Sequence, residues 1–187
     1  MKILQYLLTE SHYGKLLAVK KVISNKGNKT PGLDCDLWYN DVKRFKGAIT
    51  LEGKGFRAKP LKRTYIKKPN GKQRPLGIPT MYDRAMQALH ALALDPVAES
   101  IMTTKAFGFR KFRSCQDAQS YIHRCLCKKG SASWILEGDI KGCFDHISHQ
   151  WVMDNVPMNK RILKQFLKAG FVYRKNLFPT KSGTPQG

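Results

Sequence analysis

Between residues 3 and 24 the apolar side chains Leu4, Leu7, Leu8, Leu16, Leu17, Val19 and Val22 fall at mixed three- and four-residue steps. That is the period of a helix with one buried face, and Gly14 is placed to divide it in two. Asn25 to Asp34 (NKGNKTPGLD) is turn chemistry, and residues 37–49 fit a short helix. From Pro60 to Pro79 the period changes to two. Leu61, Arg63, Tyr65 and Lys67 alternate with Lys62, Thr64 and Ile66. Asn70-Gly71 supplies the positive φ of a tight turn, so a hairpin is predicted over 60–79. Pro75 and Pro79 put its returning strand near a sheet edge.

Asp83 reads as the N-cap of a helix of strong formers, RAMQALHALAL, which Pro96 kinks or restarts. Gly108 to Ser114 is loop. Ser114 or Asp117 opens a further helix, with Ala118, Tyr121, Ile122, Cys125 and Leu126 on one face. The run Trp134 to Ile140 predicts a buried strand. Helices are expected at 148–156 and 159–169, the second closed by Gly170, and a hairpin at 171–180. Helices, hairpin, helices, strand, helices is an α+β order. No apolar run reaches the roughly 18 residues of a membrane span. The opening MKILQYLLTESHYGK lacks the apolar core and cleavage site of a signal peptide.

Charge changes the picture. The 187 residues carry 34 Lys and Arg against 13 Asp and Glu, a formal net charge of +21. Such an excess suits a polyanion, and nucleic acid leads because clustered cations displace the counterions of phosphates. A membrane surface is disfavoured, because the charge is spread along the chain rather than gathered on one amphipathic helix. Acid-free stretches run from Glu52 to Asp83 and from Asp154 to the end; a third basic patch lies between Glu99 and Asp117. Phe56, Tyr65, Phe107, Phe109 and Phe112 are interleaved with them, some fit to stack on bases and some to form core. Five Cys without regular spacing fit free thiols in a reducing, intracellular setting.

The segment Glu137-Gly-Asp-Ile-Lys-Gly-Cys-Phe-Asp145 concentrates the chemistry. A strand would deliver Asp139 to its C-terminal end, and Gly142 would let backbone approach a ligand. A strand-end carboxylate in a basic protein is a candidate Mg²⁺ ligand, although a lone Asp there is more often a cap or an ion-pair partner. His123, Cys125 and Cys127, and His146 and His149, have spacings that fit no common zinc site, so they are expected as helical core residues.

These residues resemble the N-terminal part of a reverse transcriptase of the group II intron maturase kind. The matching blocks are LLAVKKVISNKGNKTPGLD (16–34), RTYIKKPNGKQRPLGIPTMYDRAMQAL (63–89), FGFRKFRSCQDA (107–118), EGDIKGCFDHISH (137–149) and GTPQG (183–187). Five blocks in order are highly specific. The resemblance implies a right-hand polymerase with fingers over 1–130, bearing the basic hairpin at 60–79, and a partial palm over 131–187. It implies an RNA-directed DNA polymerase working with two Mg²⁺ ions, Mn²⁺ being the alternative ion, on an RNA template, a primer and dNTP. Asp139 matches the first catalytic aspartate and metal ligand, and the Ile140 carbonyl a further ligand. Lys68 and Arg74 match the pair that grips the triphosphate. Phe144 matches the steric gate that rejects a ribose 2′-OH, with core packing as the alternative, and Gln186 lines the same pocket. Gly108, Phe109 and Arg110 match a block near the template, and Arg63, Lys67, Lys72 and Arg113 are expected on RNA with them. Asp145 is expected to be structural, capping the turn into the next helix.

In the family two further aspartates lie in a Tyr-x-Asp-Asp turn beyond the GTPQG block, and this chain holds no Asp-Asp pair. The sequence is therefore expected to be a fragment truncated before that motif and inactive alone: a deliberately shortened chain, the product of a truncated gene, or one half of a split enzyme served by a complementing C-terminal fragment. Group II intron RNA is the expected partner in an intracellular ribonucleoprotein, with no membrane. The alternative is a non-catalytic RNA-binding, splicing-support module.

Overall fold

The computed structural model describes residues 2–67, 69 and 71–184. Its elements divide between two compact units, residues 1–94 with 142–187, and residues 95–141. This division does not follow the 130/131 boundary expected from the sequence.

In the larger unit, α1 (Lys2–Glu10) and α2 (His12–Ile23) replace the single amphipathic run. The break falls at Ser11, not at Gly14. Ser11 leaves the helical region (φ −66°, ψ 139°) and its Oγ accepts the Gly14 N–H. Gly14 lies buried inside α2, where an added Cβ would sit 2.3 Å from the Leu8 carbonyl oxygen. Its small size serves the close approach of α1, not a break. Asn25 then caps a 3-10 turn over Lys26–Lys29, and Asn40 caps α3 (Asp41–Ile49).

The predicted hairpin forms as β1 (Leu61–Lys67) and β2 (Gln73–Ile78), with Lys62 opposite Ile78 and Lys67 opposite Gln73. α4 (Met81–Ile101) follows and runs unbroken through Pro96. Its cap is Thr80, one turn earlier than Asp83. Thr80 Oγ1 accepts the Asp83 N–H at 3.1 Å and donates to Asp83 Oδ2 at 2.7 Å. Asp83 is thus the reciprocal partner of the cap. Burial raises its pKa above 3.8. Arg84 on the same turn donates to the carbonyls of Gly27, Thr30 and Pro79, fixing the Gly- and Pro-rich turn against α4.

After residue 141 come α6 (Cys143–His146), α7 (His149–Asn155) and α8 (Lys160–Lys168), then β3 (Phe171–Tyr173) and β4 (Asn176–Phe178). Asp145 lies inside α6, and the cap of α7 is Ser148, correcting the expectation that Asp145 caps that turn. The two hairpins join into one sheet of order β2-β1-β3-β4, with β1 and β3 parallel (Leu61 opposite Phe171). β2 is an edge strand, as suits Pro75 within it. The core packs Ala18, Val19 and Val22 of α2, Trp38, Leu51, Phe56, Met81, Met86 and Leu89 of α4, and Ile162 of α8.

In the smaller unit, α5 (Cys115–Leu126) opens with a capping box between Ser114 and Asp117. No residue of α5 is buried, and His123, Cys125 and Cys127 are exposed rather than core. The strand predicted at Trp134–Ile140 is absent. The segment is irregular, and Trp134, Leu136 and Ile140 are 91%, 97% and 72% exposed. Apolar sequence makes a strand only where a neighbouring strand takes its N–H and C=O groups, and the sheet among the described residues offers this run none.

Candidate functional site

Four hydrogen bonds bind the α6–α7 corner to Ser182–Thr184. The Gly183 N–H donates to the Ile147 carbonyl at 2.9 Å, and the Thr184 N–H to the Phe144 carbonyl at 2.7 Å. Ser182 Oγ donates to the Asp145 carbonyl at 3.4 Å. The His149 ring Nε2 meets the Gly183 carbonyl at 2.7 Å. Gly183 itself is left-handed (φ 79°), and a Cβ there would lie 2.6 Å from the Phe144 carbonyl oxygen. Only glycine fits that approach.

These contacts form one wall of a cavity of about 300 Å³. The rest is built from Leu61 and Arg63 of β1, Pro75 of β2, Phe166 and Leu167 of α8, Phe171 of β3 and Pro179 to Ser182. Phe144 is 41% exposed on this wall, open enough to meet a ligand and held by its own carbonyl. Arg63 lies with its guanidinium carbon 3.8 Å from the centre of the Phe171 ring, a cation–π contact. Its Nε is buried with no partner among the described residues. The structure therefore brings Phe144, Arg63 and the Gly183–Thr184 pair together.

Arg74 is exposed on β2 opposite Ile66, and Lys67 and Lys72 are exposed toward the hairpin tip. Lys68 and Gln186 lie outside the described residues. Asp139 and Ile140 are exposed in the irregular 134–140 segment of the smaller unit. Among the described residues no group of three or more His, Cys, Asp or Glu could hold a metal ion. One carboxylate cannot hold two divalent ions against their repulsion, so the residues described do not make a two-metal centre by themselves.

The loop 107–113 carries the remaining candidates. Phe109 and Phe112 are fully exposed and both left-handed, at φ 59° each. Arg110 faces inward. It pairs with Glu99 and donates to the Thr103 and Ala106 carbonyls, with 4% of its side chain exposed. Arg113 shares Glu99 at 3.3 Å. These two arginines hold the Glu99 carboxyl below its usual range. Arg110 thus braces the loop, while Gly108 and Phe109 form its surface.

A second cavity, of about 690 Å³, lies in the larger unit beside Asp34, Asp36, Lys43, Lys59 and Asp83. Two ion pairs lie on its wall, Lys43 with Asp36 at 2.5 Å and Lys59 with Asp34 at 3.4 Å.

The residues from 66 to 187 match the model of the reverse transcriptase (RNA-dependent DNA polymerase) family, and residues 1–51 match the N-terminal domain of reverse transcriptase. The chain belongs to the reverse transcriptase family. It is 35% identical to the group II intron-encoded protein LtrA of Lactococcus lactis subsp. cremoris, over all of this chain and 32% of that protein. It is 31% identical to the protein YkfC of Escherichia coli, over 91% of this chain and 48% of that protein. It is 30% identical to a COX1/OXI3 intron 1 protein of Saccharomyces cerevisiae, over 92% of this chain and 21% of that protein. The chain thus spans about a third of the length of LtrA. Among solved structures, a chain of a Cas6-RT-Cas1–Cas2 complex shares the fold, with a TM-score of 0.55 and 21% identity over 98% of this chain and 20% of that one. The α+β class and the intron-type resemblance read from the sequence are thereby borne out. Among the described residues no helix is long and apolar enough to cross a membrane.

His149 is the site residue that sequence reasoning missed. Its spacing to His146 drew attention only as a metal motif. Its burial agrees with the expectation of a core residue; its contact with a residue 34 positions away has no local signal.

Proposed function

We propose that this chain is the fingers (1–130) and first palm portion (131–187) of a group II intron-type RNA-directed DNA polymerase. The observation that supports this best is the cavity wall on which Phe144 is tied to Thr184 and Ile147 to Gly183, beside the base of the basic hairpin. A dNTP would place its sugar over Phe144, whose ring would crowd a 2′-OH. Arg74 and Lys68 would meet the triphosphate, a planar guanidinium and a point charge both suiting phosphate oxygens. Gln186 would complete the sugar pocket.

Asp139 would supply one carboxylate, and Ile140 its carbonyl, to Mg²⁺ held jointly with carboxylates outside this chain's described residues. Bound there, the ion would neutralise charge on the phosphates. RNA would meet Lys67 and Lys72 on the hairpin, with Arg63 at its base, and Gly108 and Phe109 on the 107–113 loop that Arg110 and Arg113 brace. The partners would be an RNA template and primer, intron RNA and the remaining polymerase segments, in an intracellular ribonucleoprotein.

The test is to compare Mg²⁺-dependent dNTP binding with RNA binding in Arg74→Ala. A larger loss for dNTP supports the polymerase reading. Equal losses contradict it and favour the non-catalytic RNA-binding module.

A further inference from the structure

We propose that His149 is a positioning residue for the nucleotide pocket: its ring fixes the Gly183 carbonyl and thereby sets Phe144. The proposal rests on the reading of Phe144 as a sugar gate.

A carbonyl oxygen only accepts, so Nε2 carries the proton in the 2.7 Å contact with Gly183. The ring is 8% exposed, and its other nitrogen, Nδ1, is buried without a partner among the described residues. A buried imidazole with an unmatched nitrogen is a poor way to fill space, since an apolar ring of similar shape has no such nitrogen to desolvate. The contact with Gly183 is what the imidazole adds over an apolar ring.

That contact lies at a sensitive place. No side chain fits at Gly183, because the carbonyl oxygens of Phe144 and Asp145 would stand 2.6 and 2.9 Å from a Cβ built there. The His149 ring restrains the Gly183 carbonyl. The next residue, Thr184, carries the N–H that holds the Phe144 carbonyl. With the ring donor removed, Gly183–Thr184 gains freedom, and Phe144 loses the restraint that fixes its height beneath the sugar. Loss of His149 therefore reads out as poorer sugar discrimination rather than as a general loss of turnover.

Two variants separate this role from space filling. His149→Phe fills the volume without a donor, and His149→Gln keeps an N–H donor on a flexible stem. In the chain itself, amide hydrogen exchange at Gly183 and Thr184 is expected to quicken by about tenfold in His149→Phe, one hydrogen bond's worth, with α8 amides unchanged. His149→Gln should restore most of the protection. Unchanged exchange at both amides would overturn the proposal.

The second arm uses the polymerase formed with the segment that carries the family's Tyr-x-Asp-Asp turn. There, His149→Phe is expected to raise ribonucleotide use relative to deoxynucleotide by about tenfold, while His149→Gln stays near the parent. Phe144→Val is run beside them. If Phe144→Val relaxes discrimination and His149→Phe does not, this inference fails alone. If Phe144→Val leaves discrimination intact, the gate reading fails with it.

Discussion

Thr184 and Phe144 are joined by a 2.7 Å backbone hydrogen bond, 40 residues apart in sequence (184 − 144). It is paired with the Gly183 contact to Ile147 at 2.9 Å. Together they turn two separate motifs into one wall of a cavity.

The first prediction concerns the glycine at that seam. Gly183→Ala combines a left-handed φ of 79° with a Cβ 2.6 Å from backbone oxygen. Neither the strain nor the contact can be relieved by a side-chain rotation. A loss of about 1–3 kcal/mol is expected, read as a lower urea midpoint. A midpoint equal to the parent's would mean that the seam is not held in solution.

Phe112 has the opposite sign. It is left-handed at φ 59° with its ring wholly exposed, so it bears strain and buries nothing. Asn tolerates that conformation. Phe112→Asn should therefore slow amide exchange at Asp117 and Ala118, the start of α5, by up to about fivefold. Faster exchange would show that the ring packs against something that stabilises the loop.

His90 is one source of acid sensitivity. Burial in α4 lowers its pKa below 6.5. The unfolded chain binds a proton near 6.5 while the folded chain does not. The stability contribution is therefore fully present above 6.5 and lost as pH falls through the lower folded value. Unfolding free energy is expected to be smaller at about pH 5 than at about pH 7.5, and His90→Leu should flatten that difference. The variant also separates His90 from Asp83, whose raised pKa acts the other way. A pH profile unchanged by His90→Leu would contradict the assignment.

Patterns of two and three-to-four residues carried the hairpin at 61–78 and most helices, because those elements satisfy their hydrogen bonds locally. Caps moved the boundaries. Ser11, not Gly14, divides the first two helices, and Thr80 shares the cap with Asp83. Both shifts come from side-chain hydroxyls taking N–H groups, which apolar spacing does not report. The parallel pairing of Leu61 with Phe171 joins residues far apart in sequence and has no local signal. Trp134 to Ile140 failed for the converse reason: its apolar pattern suits a strand, but a strand also needs a partner. For the candidate site, motif resemblance singled out Phe144 and the segment holding Gly183 and Thr184, which the cavity wall brings together. The clamp from His149 was not, since it depends on where α7 returns in space.

Asp139 is proposed as the first catalytic carboxylate of an RNA-directed DNA polymerase. The most direct measurement is primer extension on an RNA template with dNTP and Mg²⁺. The chain is assayed together with the segment bearing the Tyr-x-Asp-Asp turn, and again as Asp139→Asn. The account predicts DNA synthesis with the parent chain and its loss, by at least about a thousandfold, in Asp139→Asn. Synthesis that persists in Asp139→Asn would contradict it, and so would RNA binding without any synthesis by the parent.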